Sequence, residues 1–271
     1  QGERPQEELP FYQQIHFHKL GSPLAEDTYV LGREFPKIAE IELSTSPDGR
    51  WVLADVSNGD GGEHAYWLRL VDGSWTQFTQ FADKVIEAKF GMDDALYILS
   101  RADAPNRKIL RLPVATPTLA DARVVVPETE NAIESYTPTA TRIYVTEMVG
   151  GPTQMRVYDL GGRALGLVST PEIALLSQVV RTVGDEVLVR SQSYTRPPAF
   201  YRYGPDAKEL LPTALVHTSP ADFSDCEVRR EFATAFDGTK LPVNIIMRKG
   251  TKLDGSAPAL LYGYGSYGSS E

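Results

Sequence analysis

The stretch Ser46-Pro47-Asp48-Gly49-Arg50-Trp51-Val52-Leu53-Ala54-Asp55-Val56 decides the fold: a tight turn runs straight into an apolar strand. Pro47 presets φ, and Asp48-Gly49 supplies the residues such a turn wants. The unit returns as Asp93-Asp94-Ala95-Leu96-Tyr97-Ile98-Leu99, then as Thr139-Ala140-Thr141-Arg142-Ile143-Tyr144-Val145, then as Val183-Gly184-Asp185-Glu186-Val187-Leu188-Val189. Aligning Trp51, Leu96, Ile143 and Val187 gives steps of about 45, 47 and 44 residues. A further strand follows each time, such as HAYWLRL, RKILRLP or TQMRVYDL, and then a short fourth, such as TQFTQF, ARVVVP or ALGLVST. Four strands per repeat at this period predict the blades of a β-propeller. A β-sandwich with evenly spaced strands is the alternative that spacing leaves open.

The first strands of the four repeats are expected to begin near Ile41, Val85, Ile133 and Leu176. Upstream, FYQQIHFHKLGSPLAEDTYVLGREF (residues 11–35) reads as the last two strands of another blade, so about four and a half blades are expected. A ring must close, and the N-terminus therefore reads as a cut through a domain. Open sheet edges invite pairing, so self-association of the chain is a further expectation.

Texture changes near residue 222, which separates an expected partial propeller (1–222) from a second domain (223–271). There, Val228 to Ala235 and Leu241 to Met247 flank an Asp237-Gly238 turn as a long hairpin. After a polar loop, Ala259-Leu260-Leu261-Tyr262 reads as a third strand.

Composition narrows the function classes. The 271 residues are 42% hydrophobic and 23% charged, ordinary for a globular chain. A formal net charge of −9 argues against nucleic acid or an anionic membrane surface as partner. The single cysteine, Cys226, excludes an internal disulfide and leaves the compartment open between cytoplasm and periplasm. No apolar stretch approaches the ~18 residues of a spanning helix.

The C-terminal Gly263-Tyr264-Gly265-Ser266-Tyr267-Gly268 matches G-x-G-x-x-G. A dinucleotide fingerprint needs a helix after the glycines and an acidic residue about twenty positions on. The tyrosines are also bulky for a loop that must approach a pyrophosphate. A glycine loop with locally packed aromatics is a second reading. A third is the loop after the third strand of an α/β-hydrolase, which lines the active site and helps build the oxyanion hole. A tyrosine hydroxyl there can donate where negative charge develops.

The segment VRREFATAFDGTKLPVNIIMRKGTKLDGSAPALLYGYGSYG (residues 228–268) resembles the opening of the catalytic domain of the prolyl oligopeptidase family of serine peptidases. HFHKLGSPLAEDTYVLGREFP and LSTSPDGRWVL are similar to that family's propeller. The resemblance implies a seven-bladed propeller, restricting entry to small peptides, paired with an α/β-hydrolase domain. It implies that Tyr264 completes the oxyanion hole and that Tyr267 lines the peptide pocket. Short peptides are the implied substrate, with no cofactor and no metal. YGYGSYGSS is closer to the oligopeptidase B branch, which cleaves after basic residues; GTKLPVNIIMRKGTKLDG leans toward prolyl endopeptidases. No G-x-S-x-G elbow is present, so the Ser, Asp and His of the triad are expected beyond Glu271 and the chain alone is expected to be inactive. A propeller that binds a partner without chemistry is the rival reading.

Weaker candidates remain. His16 and His18 alternate, which puts them on one face of a strand. His64 and His217 are isolated. NGDGGEH (residues 58–64) lacks calcium-loop spacing and reads as a loop between the second and third strands of its blade. Asp222, Asp225 and Glu227 read as a solvated linker. Cys226 has no base to activate it.

Overall fold

The computed structural model describes residues 5–170 and 173–264. It forms two compact units, Gln1–Glu128 and Thr129–Glu271.

In the first unit, β1 (Ile15–Phe17) pairs with β2 (Thr28–Leu31) as a two-stranded sheet. Two four-stranded meanders follow. The first comprises β3 (Glu40–Thr45), β4 (Val52–Ser57), β5 (His64–Arg69) and β6 (Trp75–Gln77). The second comprises β7 (Val85–Phe90), β8 (Ala95–Ser100), β9 (Lys108–Pro113) and β10 (Arg123–Val126).

The second unit repeats the plan. β11 (Ala132–Pro138), β12 (Arg142–Met148), β13 (Thr153–Asp159) and β14 (Ala164–Leu167) make one sheet. β15 (Leu175–Arg181), β16 (Val187–Ser193), β17 (Arg196–Tyr203) and β18 (Leu211–Val216) make the next. A hairpin of β19 (Cys226–Thr234) and β20 (Lys240–Arg248) follows. All pairings within these sheets are antiparallel between sequence neighbours, and the fold is a partial β-propeller. First strands begin within one residue of the positions the repeat predicts.

Each turn between first and second strands is built as its residues dictate. Gly49 takes φ +73°, its amide donates to the Ser46 carbonyl, and Asp48 accepts from the Ser46 hydroxyl at 2.6 Å. The second strands then bury deeply: every residue of β8 is buried. That is why β8 reads as a continuous apolar run, whereas β16 alternates buried and partly buried residues.

Within each unit, sheets stack face to face. In the first, Trp51, Leu53, Tyr66 and Leu68 meet Val85, Leu96, Ile98 and Leu112. Leu31, Phe35 and Ile41 carry the β1–β2 pair onto the same meander. In the second, Tyr144, Met155 and Val157 meet Leu176, Val187, Val189 and Tyr203. Each fully buried side chain of this size contributes roughly 1.5–3 kcal/mol.

The turns are also joined. Arg50 reaches the Asp94 carboxylate of the next sheet at 2.6 Å. In the second unit, Asp185 accepts from the Thr139 hydroxyl at 2.7 Å, the Thr141 amide at 2.7 Å and the Thr141 hydroxyl at 2.6 Å. Tyr144 donates to the Asp185 carbonyl at 2.6 Å.

Two expectations are corrected here. Ala259–Tyr262 forms no strand. The β19–β20 ladder does not include it, and an apolar run becomes a strand only where an edge is offered in register. His18 lies beyond the end of β1, so of the two histidines His16 alone sits on the strand.

Partial burial works against the Asp185 charge, but the Thr141 hydroxyl and amide and the Thr139 hydroxyl outweigh it and hold its pKa below the usual carboxylate value. A lowered folded pKa stabilises above the unfolded value, about 3.9, and that stability is lost as pH falls through the folded one. Asp185→Ala is expected to cost about 1.5–3 kcal/mol in urea unfolding at neutral pH. The deficit should shrink on acidification; equal midpoints for variant and parent at pH 7 would remove Asp185 as a joint.

Candidate functional site

The C-terminal part of the second unit holds the candidate site. The Asp237-Gly238 turn closes the hairpin: Gly238 sits at φ +89°, its amide donates to the Ala235 carbonyl, and the Thr239 amide donates to Asp237 at 2.9 Å. This turn sets the ladder register, placing Arg230 opposite Asn244 and Val228 opposite Ile246. Arg230 donates to the carbonyls of Val149 and Gly150. Asn244 donates to the Tyr194 hydroxyl at 2.8 Å. Under the hairpin's root lies a cavity of about 360 Å3, lined by Ser191, Ser193, Arg196, Tyr201, Cys226, Glu227 and others. A second, of about 310 Å3, shares Ile173, Ala174, Gln192 and Ser193 with it and extends to Gly151 and Tyr194.

Beyond β20 the chain is largely uncovered. Leu260, Leu261 and Tyr262 are 93%, 90% and 70% exposed, and Tyr264, the last described residue, is 51% exposed. Tyr267 lies outside the described residues, as do Gly265, Ser266 and Gly268. Among the described residues, no hydrogen bond joins Tyr264 to a group that could be read as a reacting centre.

The linker carboxylates are locally engaged. Asp222 accepts from the Ser224 amide at 2.8 Å, and Glu227 pairs with Arg229 at 2.8 Å. The Cys226 thiol donates to Asp225 at 3.4 Å; burial and then that carboxylate push its pKa up, away from the thiolate a nucleophile needs. His18 pairs with Asp27 at 2.7 Å, and His16 meets the Tyr29 ring edge-on. His217 is exposed. Among the described residues, no three His, Cys, Asp or Glu come together as a metal site. Residues 58–63 form the loop between β4 and β5, with a short 3-10 turn at Gly59–Gly61.

His64 is not isolated. Its Nδ1 lies 2.8 Å from Asp55 Oδ1. The other oxygen of Asp55 accepts from the Tyr66 hydroxyl at 2.9 Å, and Tyr66 also reaches the Ile86 carbonyl of the next sheet at 3.3 Å. Burial, reinforced by Asp55, pushes the Tyr66 hydroxyl far above the ordinary phenol value, so it stays a donor. The signal was in the sequence: folding β4 onto β5 about residues 58–63 places Asp55 opposite Tyr66 and His64 on the diagonal.

Residues 1–215 match the family described as "Prolyl oligopeptidase, N-terminal beta-propeller domain". The chain is 26% identical to a prolyl endopeptidase of Elizabethkingia meningoseptica over 260 residues, 93% of this chain and 36% of that protein. A structure from a study of two prolyl endopeptidases superposes over all of this chain and 40% of its own, with a TM-score of 0.86 at 23% identity. Oligopeptidase B from Trypanosoma brucei with covalently bound antipain follows at a TM-score of 0.78 and 20% identity, over 94% of this chain and 38% of that one. The fold and these matches define a propeller-bearing member of a family of serine peptidases. The chain belongs to the prolyl oligopeptidase family, and it spans about 36% of the length of the curated relative above.

The His64–Asp55 pair has a pH signature. The hydrogen bond to Asp55 raises the His64 pKa against the opposing effect of burial, with Asp55, Glu87 and Glu42 adding favourable charge. A raised histidine pKa stabilises in full below the unfolded value, about 6.5, and that stability is lost as pH climbs through the folded value. His64→Gln should therefore flatten the fall in urea midpoint between about pH 6 and 8. A slope matching the parent's would show that His64 carries no linkage.

Proposed function

We propose that this chain is the propeller part and the opening of the catalytic domain of a serine peptidase that hydrolyses short peptides after proline. The propeller restricts access, Tyr264 donates to the developing oxyanion, and Tyr267 lines the peptide pocket. The observation that carries the reading is continuity. A stretch matching the family's propeller domain runs directly into a hairpin tied back onto its last two sheets. The run that follows presents Leu260, Leu261 and Tyr262 to solvent, and contiguous apolar surface of this kind marks a face to be covered. In this reading the remaining hydrolase sheet covers it and aims Tyr264. The likeness to oligopeptidase B favours cleavage after basic residues as the second reading.

The chain alone should show no peptidase activity, because a donor without nucleophile and base has no intermediate to stabilise. In the full-length enzyme, Tyr264→Phe should lower kcat by ~10²–10³ with little change in KM. Tyr267→Ala should instead raise KM, since a pocket aromatic binds ground and transition states alike. Steady-state kinetics on peptides with proline or arginine before the scissile bond reads both variants and the specificity. A Tyr264→Phe enzyme within about twofold of the parent kcat would remove the oxyanion role.

Self-association belongs to the same proposal. Leu165 and Leu167 on β14, and Leu215 and Val216 on β18, are exposed on outer strands. Light scattering on the 271-residue chain should report a mass that rises with concentration; a constant monomer mass across the micromolar range would reject it.

A further inference from the structure

Three side-chain hydrogen bonds that tie the hairpin to the sheets of its unit come from one rung of its ladder. Arg230 on β19 and Asn244 on β20 are directly opposite, and opposite residues project from the same face. Arg230 donates to Val149 and Gly150 in the β12–β13 turn, while Asn244 donates to Tyr194 in the β16–β17 turn. A single rung therefore grips the loops of two successive sheets. The receiving turn is shaped for it: Gly150 takes φ +61°, and a Cβ there would lie 2.7 Å from an Arg230 guanidinium nitrogen.

Phe232, Phe236 and Leu241 are exposed, and a two-stranded hairpin has little stability of its own. At its root the two legs are joined to each other, by the Lys249 amide to the Asp225 carbonyl at 2.8 Å and by Lys249 Nζ to the Ser224 carbonyl at 2.7 Å. With its two legs joined, the hairpin moves as one piece, and the Arg230–Asn244 rung sets how it lies against the sheets and the direction in which the chain leaves β20.

The geometry points to this rung as a latch. Closed, it positions the segment bearing Tyr264 relative to the last two sheets. Open, it lets the hairpin swing about its root and uncovers the cavities beneath. The positioning role rests on the reading of Tyr264 above; the latch itself does not.

Hydrogen exchange on this chain, and kinetics on the full-length enzyme, test it with R230M, N244A, the double variant and R230K. Two anchors acting as a unit are non-additive. Each single variant should speed exchange in β19, β20 and residues 249–264 nearly as much as the double, by about tenfold, while β11 to β18 keep their protection. In the enzyme, kcat should fall by about tenfold with KM within about twofold, and R230K should restore most of it. Additive effects, or faster exchange spread evenly over β11 to β18, would overturn the latch. Unchanged kcat, in an enzyme that Tyr264→Phe cripples, would overturn its positioning role. Should Tyr264→Phe prove harmless while the exchange pattern holds, the latch stands and the reading of Tyr264 fails.

Discussion

A four-stranded antiparallel meander cannot bury both of its faces alone, and the stacking of one such sheet on the next is what the rest of this structure depends on. Stacking buries β8 on both sides, and the sheet-by-sheet plan returns at about 45 residues. It also demands twist, and three of the four first strands supply it through bulges. The register of β7 shifts at Ile86, that of β11 at Glu134 and that of β15 at Gln178. A bulge loosens carbonyls from their own ladder. Side chains of the preceding sheet use the carbonyls at or beside two of these shifts: Tyr66 donates to Ile86, and Thr137 donates to Val179 at 2.7 Å. Irregularity in one sheet thus becomes the hydrogen-bond acceptor that fixes the next.

What was legible in the sequence follows from which forces are local. Turn chemistry at Asp48-Gly49 and Asp237-Gly238 is local, so the strand starts and the hairpin could be read directly. The second-strand runs announce burial by composition alone. Ala259–Tyr262 misleads for the same reason: its residues favour a strand, but a strand also requires a neighbouring edge. The Asp55–His64–Tyr66 cluster depends on cross-strand register, which hydrophobic periodicity does not report, so only folding β4 onto β5 about residues 58–63 brings it out of the sequence. Buried Glu147 is similar. Its partners, Gln154 at 2.7 Å and Arg156 at 3.3 Å, come from the adjacent strand, and nothing in its own stretch marks it as paired.

Candidate site residues were legible only as types in a pattern. Gly263 and Tyr264 suggest a loop near a reacting carbonyl, but an oxyanion donor is defined by its distance to an atom that another part of the site must hold. Arg230 and Asn244 drew no attention in the sequence, where each resembles an ordinary polar residue on an amphipathic strand. Their importance arises from being opposite one another across a turn of fixed length, with Gly150 giving room at the receiving end.

The joints between elements differ in kind, and that difference has physical consequences. The sheets are cross-braced at their turns by carboxylates, Asp94 to Arg50 in one unit and Asp185 to Thr139 and Thr141 in the other. Protonation of Asp185, whose pKa the threonine donors hold down against burial, weakens its brace. The hairpin is held by a guanidinium that stays charged at any working pH and by neutral carbonyl, amide and hydroxyl groups. Acid therefore loosens the Asp185 brace while leaving the hairpin's carbonyl, amide and hydroxyl anchors chemically intact. Motion of the hairpin must come from breaking hydrogen bonds rather than from titration, so its opening is governed by geometry and temperature, whereas the stacking of the sheets also answers to pH.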